Sequence, residues 1–237
     1  MADRLYALTI AGGRGERLKP LTDSLPKPMV PLNGRPMIAY QVDWMVSQGV
    51  TDIVFLCGYL GEKIQGYFGD GSRHGFAAHY SYEDQPLGRG GAVRKGLSLV
   101  PRQAEYVVVT NGDNVTNQPL DELVDLHRHR RAMATMMLVP FPSQYGVVQS
   151  DDDGMVMEFI EKGRLPFWIN AGVYVFAREI ESRLPKVGDH ETTTFQDLAA
   201  ERRLAALKSN ARWLTVDSPK ELREVSEALK SGMLAGQ

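Results

Sequence analysis

The 237-residue chain has one cysteine, Cys57. A lone thiol excludes an intrachain disulfide framework and any metal site built on several cysteines. No apolar run approaches the roughly 18 residues that span a bilayer. The opening Met1-Ala2-Asp3-Arg4 also lacks a signal-peptide layout. The chain therefore reads as cytoplasmic, with no membrane partner. Basic excess is missing too: 27 Lys and Arg stand against 29 Asp and Glu, for a net charge of −2. A nucleic-acid partner, which needs a basic face, is not expected. There is no internal repeat, low-complexity tract or linker. What is present is an ordinary globular composition, 43% apolar and 24% charged. A chain this long buries roughly 70–75% of its unfolded surface without staples.

Short β-rich runs alternate with amphipathic segments, the pattern of an α/β sheet protein. Residues 5–10 form an apolar run ended by Gly12-Gly13, which suits a buried central strand. Pro36 opens a helix with Ile38, Val42, Met45 and Val46 on one side, and Gly49 ends it. Strands are expected at 53–57, 79–82, 106–110, 169–176, 204–208 and 212–216. Helices are expected at 62–68, about 91–99 and from Pro119. Strands at 145–149 and 155–160 flank Asp153-Gly154, a type I′ hairpin signal. Ser218, Pro219 and Glu221 read as N-cap, first helical residue and capping-box partner of a last helix over 218–231. One domain of 1–237 is expected. The α/β alternation dominates 1–133, and a smaller hairpin-rich lobe over 134–217 covers one end of the sheet.

The first loop carries most of the chemistry. Ala11-Gly12-Gly13-Arg14-Gly15 follows the first strand, and such a turn can bring several backbone N–H groups close to an anion. It is neither of two familiar phosphate loops: the dinucleotide spacing needs glycine where Leu18 stands, and Gly-Lys-Ser/Thr is absent. Residues 12–35 hold five basic and two acidic side chains, +3 in a chain of −2. Pro20, Pro26, Pro28, Pro31 and the adjoining Pro36 forbid regular helix or central strand there. A long, stiff, cationic loop is uncommon unless functional.

Gly12-Gly13-Arg14-Gly15-Glu16-Arg17-Leu18-Lys19-Pro20-Leu21-Thr22 and Pro26-Lys27-Pro28-Met29-Val30-Pro31 resemble the signature of the sugar-1-phosphate nucleotidyltransferases. The resemblance runs in order from Leu8 to Leu222. It implies a Rossmann-like, three-layer αβα sandwich with a mixed, mostly parallel sheet and no C-terminal β-helix. The implied substrates are an NTP and a sugar 1-phosphate, with Mg²⁺ as cofactor. In this family Ala11 to Gly15 and Lys27 embrace the triphosphate, and Arg17 and Lys27 bind its charge. Asn111-Gly112-Asp113 supplies a sugar contact and a metal carboxylate, and Asp217 is the second metal ligand. Two carboxylates suit Mg²⁺, which takes its other ligands from water and phosphate. Gln85 and Gly88 correspond to base-reading positions. Gly146, Glu161, Lys162 and Asn170 correspond to the sugar face, with Lys162 on the sugar phosphate. Arg89 stands where relatives carry Thr, and Gly163 where they carry Pro.

The nearest resemblance is to short mannose-1-phosphate and heptose-1-phosphate guanylyltransferases. Uridylyl or thymidylyl transfer stays open, as does a silent NDP-sugar-binding regulatory subunit. A homo-oligomer is neither required nor excluded. Three further features read as structural: Asp151-Asp152-Asp153 as a turn, His127-x-His129 as a boundary histidine without metal partners, and Cys57 as an inert small apolar residue.

Overall fold

Apolar side chains alternate between two buried faces along the inner strands, and that alternation sets the layering. The computed structural model describes residues 4–143 and 145–232. The strands are β1 (Tyr6–Ile10), β2 (Pro31–Leu32), β3 (Arg35–Pro36), β4 (Asp52–Cys57), β5 (Ala77–Tyr82), β6 (Tyr106–Asn111) and β7 (Asn114–Thr116). They continue as β8 (Ala134–Pro142), β9 (Val147–Ser150), β10 (Val156–Ile160), β11 (Arg164–Ala177), β12 (Leu204–Lys208) and β13 (Trp213–Thr215). The helices are α1 (Met37–Ser47), α2 (Gly61–Phe68), α3 (Gly88–Gly96), α4 (Leu120–Arg130), α5 (Thr194–Ala200) and α6 (Pro219–Lys230).

Seven strands form the central sheet in the order β12-β8-β11-β6-β1-β4-β5. β11 runs antiparallel to both its neighbours, and the other four pairings are parallel. The mixed, mostly parallel sandwich expected from the sequence is therefore present. Ala7, Ile53 and Phe55 face one apolar layer, built with α1, α2 and α4. Leu8, Val54 and Leu56 face the other, built with α3 and α5. The segment 134–217 places β8, β11 and β12 in this same sheet, while β9 and β10 pair with each other and β13 pairs with β7 outside it.

A third, smaller core lies beside the first loop. Leu18, Val30, Leu32, Met37, Val115 and Val216 pack there with Val225 of α6. Leu18, Val115 and Val216 each stand one or two residues from a charged residue singled out in the sequence. The loop itself folds as three 3-10 turns and the β2–β3 ribbon, as its prolines require.

Two local expectations need correcting. The 151–155 turn is not type I′: Gly154 (φ 83) is its left-handed residue, and neither Asp152 nor Asp153 has positive φ. The Asp151 carboxylate accepts from the N–H groups of Asp153 (3.1 Å) and Met155 (2.8 Å), so a side chain holds the turn. In the last helix Ser218 Oγ accepts from Glu221 N–H (3.2 Å). Glu221 answers to the N–H of Asp217 (2.8 Å), one residue before the cap. α3 starts three residues earlier than expected, and β11 extends five residues further toward its N-terminus.

Candidate active site

The chain leaves β1 toward β4 and β5, then returns to β6 on the other side of β1. In an open α/β sheet such a reversal leaves a crevice beyond the carboxyl ends of the two strands. Here a cleft of about 600 Å³ opens at that point. Its walls include Ile10 and Ala11 at the end of β1, Asn111 and Asp113 at the end of β6, and Asn170 and Ala171 from β11.

Asp113 and Asp217 lie 104 residues apart and meet because a short ribbon joins their flanks. β7 begins one residue after Asp113, β13 ends two residues before Asp217, and Asn114 pairs with Thr215. The buried Gln41 of α1 steadies the first of these flanks, donating to Thr110 Oγ1 (2.8 Å) and to the Asn111 carbonyl (2.5 Å). The Glu221 bond to the Asp217 N–H steadies the second.

Lys27 reaches between the two acids. Its Nζ donates to Asp113 Oδ2 and to Asp217 Oδ1, the latter at 2.6 Å. Burial pulls the ammonium toward its neutral form, but the two carboxylates outweigh this and hold its pKa above the ordinary lysine value. Arg17, largely exposed, donates to the same Asp217 Oδ1 at 2.9 Å. The glycine loop must pass close for this to happen. Gly15 has φ 64, and a Cβ there would lie 2.7 Å from the Lys27 Cβ. Thr22, fully buried, donates to the Gly15 carbonyl (2.9 Å) and pins the turn.

The cleft thus gathers Ala11, Gly13, Gly15, Arg17, Lys27, Asn111, Asp113, Asn170 and Asp217 from among the residues singled out in the sequence. Others lie outside its lining. Gly12 sits against Gly58 and Glu83, and Arg14 stacks over the Tyr59 ring at 5.3 Å. Gln85 is exposed ahead of α3, and Gly88 is the first residue of that helix. Gly146, Glu161 and Lys162 sit at the stem of the β9–β10 hairpin. Glu16, Asn114, Trp213 and Thr215 line the cleft without having been assigned a role from the sequence. Asn114 and Trp213 donate to the Ala171 carbonyl at 2.7 and 2.8 Å, and so tie the ribbon to β11. A polar residue inside an otherwise apolar helix face was the one available signal for Gln41; nothing local marks Asn114.

Arg89 lines the cleft from the α3 side. Its N–H donates to Asp189 Oδ1 (2.8 Å) and its guanidinium to Glu191 Oε1 (2.6 Å). The Gly188 carbonyl accepts from Gly90 and Gly91, so the first turn of α3 is already capped.

Asp113 and Asp217 fit a hard divalent cation. Both point a carboxylate oxygen at one spot, which a tethered ammonium occupies. Among the described residues no cluster of three or more His, Cys, Asp or Glu side chains could hold a metal unaided. A two-carboxylate set that leaves the remaining positions to water and phosphate is the pattern Mg²⁺ prefers. Among the residues read as structural, His127 is buried in the core rather than at a boundary, with Nδ1 2.9 Å from Thr135 Oγ1, and burial pushes its pKa down to about 4. Burial likewise pushes the Cys57 thiol up to about 12, which keeps it protonated and unreactive. No helix among the described residues is long and apolar enough to cross a membrane.

Residues 6–232 match the family described as Nucleotidyl transferase. A mannose-1-phosphate guanylyltransferase of Mycobacterium tuberculosis is 35% identical over 184 residues, 76% of this chain and 51% of that protein. A mannose-1-phosphate guanylyltransferase catalytic subunit beta of Drosophila pseudoobscura is 31% identical over 221 residues, 91% of this chain and 60% of that protein. The chain therefore spans about half to three-fifths of the length of these relatives. The crystal structure of HddC from Yersinia pseudotuberculosis matches with a TM-score of 0.74 at 23% identity, over 95% of this chain and 99% of that one. UDP-glucose pyrophosphorylase from Acinetobacter baumanii matches at 0.74 and 20% identity, over 99% and 95%. At these identities the two structures establish a shared fold.

Proposed function

The chain belongs to the nucleotidyl transferase family, and from that premise we propose that it transfers a guanylyl group from GTP to a mannose- or heptose-type sugar 1-phosphate. The products are an NDP-sugar and pyrophosphate. One observation carries the reading: Lys27 bridges Asp113 and Asp217, with Arg17 on the same carboxylate, in a cleft beyond the ends of β1 and β6. Guanine is favoured among the bases because both relatives described above are named guanylyltransferases.

In this reading the sugar-phosphate oxygen attacks the α-phosphorus in line and pyrophosphate leaves, with no protein nucleophile. Residues of about 1–133 bind the nucleotide, and those of about 134–217 supply the sugar contacts. Arg17 and Lys27 move from the carboxylates onto the triphosphate and stabilise the charge that grows on the leaving group. The backbone from Ala11 to Gly15 holds the phosphates, Gln85 and Gly88 face the base, and Asn111 and Asn170 orient the sugar. Gly146 and Glu161 belong to the sugar face, with Glu161 accepting from sugar hydroxyls, and Lys162 holds the sugar phosphate and reduces repulsion between the two anionic substrates. Asp113 and Asp217 would hold Mg²⁺, which would supply Lewis-acid charge to the phosphates.

The test is pyrophosphate release with Mg²⁺, across five nucleoside triphosphates and mannose, heptose, glucose and amino-sugar 1-phosphates. Turnover confined to GTP with mannose or heptose 1-phosphate is expected. Asp113→Ala should lose at least ~100-fold in rate, the scale of removing one charge stabiliser. A loss below tenfold would refute the role of Asp113. A blank matrix from folded, nucleotide-binding protein would favour a silent regulatory subunit.

A further inference from the structure

The cleft lining holds Arg17, Lys27 and Arg89, and the reaction proposed above gives a task to the first two. Arg89 stands in the first turn of α3, where the helix dipole disfavours a positive charge. Its guanidinium is not needed to hold the 188–191 segment against that helix, because backbone bonds already do so. Gly90 and Gly91 donate to the Gly188 carbonyl (2.9 and 3.2 Å), and Gly188 donates to the Leu87 carbonyl (2.7 Å). The Asp189 carboxylate is also engaged at the helix start, where it accepts the Arg89 N–H.

The Arg89 side chain is 49% exposed and meets Glu191 at one point, Nη1 to Oε1. Structural Arg–carboxylate pairs frequently close two such bonds. Here the rest of the fork makes none among the described residues, and Glu191 Oε2 is buried without a partner. That oxygen lies 3.6 Å from Nε2 of His190, a fully buried ring with no hydrogen bond on either nitrogen. Unpaired buried polar groups are rare, and here they sit side by side. A small rotation would give Glu191 this second partner. Arg89 itself lies toward the Asn170 end of the cleft. Asn170 donates to the Tyr174 hydroxyl (2.7 Å). Burial raises the pKa of that phenol, and the charges of Glu191 and Arg89 act on it in opposite directions.

We propose that Arg89 leaves Glu191 to bind the phosphate of the sugar 1-phosphate, and that Glu191 then turns to His190. The inference rests on the nucleotidyl-transfer reading given above. A guanidinium fork matches a phosphate with two parallel N–H···O bonds. Lys162 comes to that phosphate from the hairpin stem, outside the cleft lining, whereas Arg89 is the cation that the cleft itself presents beside Asn170. Glu191 is not stranded by the exchange. Burial holds the His190 pKa below its ordinary value, so the ring is neutral and keeps one N–H to donate.

Calorimetric titration of mannose 1-phosphate into the full chain, saturated with Mg²⁺ and a non-hydrolysable GTP analogue, tests this alongside KM for both substrates. Arg89→Thr should raise the dissociation constant and KM for mannose 1-phosphate at least ~10-fold, the scale of one charge-assisted hydrogen bond. KM for GTP should rise by less. Arg89→Lys should recover part of the loss. Glu191→Gln should act in the opposite direction and tighten binding about two- to fivefold, the scale of a half-exposed ion pair. A pair that only braces the fold would weaken binding when cut from either side. Should circular dichroism show Arg89→Thr unfolded, Arg89→Gln, which keeps a polar stem, takes its place. A loss below about threefold, within the range of an exposed pair, would overturn the proposal. So would equal effects on both substrates, or a Glu191→Gln protein that binds more weakly. Absent turnover with dissociation constants that still respond as stated would instead refute the proposed reaction and leave the role of Arg89 standing. Mannose 1-phosphate that does not bind at all would overturn both.

Discussion

Replacing Lys27 with methionine separates two effects that a simple loss of activity would merge. The ammonium touches Asp113 and Asp217 together and is itself largely buried. At an effective dielectric near 20, one such charge pair about 4 Å apart attracts by about 4 kcal/mol, so the two sum to about 8 kcal/mol gross. Desolvation offsets much of this. A divalent cation entering the same spot must push the ammonium aside. Lys27→Met keeps most of the side chain's volume and removes that competitor. Recovering only about 1.4 kcal/mol of the 8 tightens metal binding tenfold. Nucleotide-free Lys27→Met should therefore bind Mn²⁺, followed by electron paramagnetic resonance, at least ~10-fold more tightly than the parent. Its turnover should nonetheless fall by at least ~100-fold. Arg17→Met is the control. Arg17 meets only Asp217 and is mostly exposed, so its removal should tighten Mn²⁺ binding by less. A folded Lys27→Met protein that binds Mn²⁺ no better than the parent would refute the idea that ammonium and metal compete for one position.

Two further outcomes follow from buried groups away from the cleft. His127 is held neutral, with a folded pKa of about 4 against about 6.5 when exposed. The unfolded chain therefore takes up the proton first as pH falls. The stability involved is fully present above about pH 6.5 and is lost progressively down to about pH 4, at most about 3 kcal/mol. Urea midpoints measured over this window should fall with pH, and His127→Gln should flatten part of that slope; an unchanged slope would contradict the assignment. Cys57 should be silent to a thiol-reactive disulfide reagent at pH 8 in the native chain and titrate as one thiol in urea. Rapid native reaction would show that the end of β4 opens.

The sheet was legible because its signals are long. β1, β4 and β6 are strands of five or six residues with four to six of them buried, and α1 shows an apolar side over three turns. The meeting of Asp113 and Asp217 was not legible from local pattern. It depends on two three-residue strands, too short for periodicity to mark, that pair across about a hundred positions. The hairpin was found, but its turn was misassigned: Asp-Gly announces a turn without choosing its type, and the Asp151 side chain made the choice. Gln41 shows a different limit. Its position on α1 reads as one polar interruption of an apolar face, whereas its use, bridging toward the Asn111–Asn114 turn, exists only after α1 packs on β6. Roles for Lys27 and Asp217 came from the likeness of the segments that carry them to a family, and the geometry supplies a physical reason for that likeness.

That reason lies in the charge balance of the cleft. Its lining offers three cations, Arg17, Lys27 and Arg89, and three carboxylates, Glu16, Asp113 and Asp217. Each cation already touches a carboxylate: Arg17 on Asp217, Lys27 on Asp113 and Asp217, Arg89 on Glu191. The empty cleft is close to neutral, so its side chains alone cannot offset two polyanionic substrates. A triphosphate draws Arg17 and Lys27 away from the two aspartates only at the cost of leaving those carboxylates unpaired. A divalent cation arriving with the phosphates removes that cost. The ion pairs then change partners rather than break, so in the proposed reaction nucleotide and metal should favour each other's binding by one shared factor. Lys27 is the hinge of the exchange, because it alone holds both aspartates.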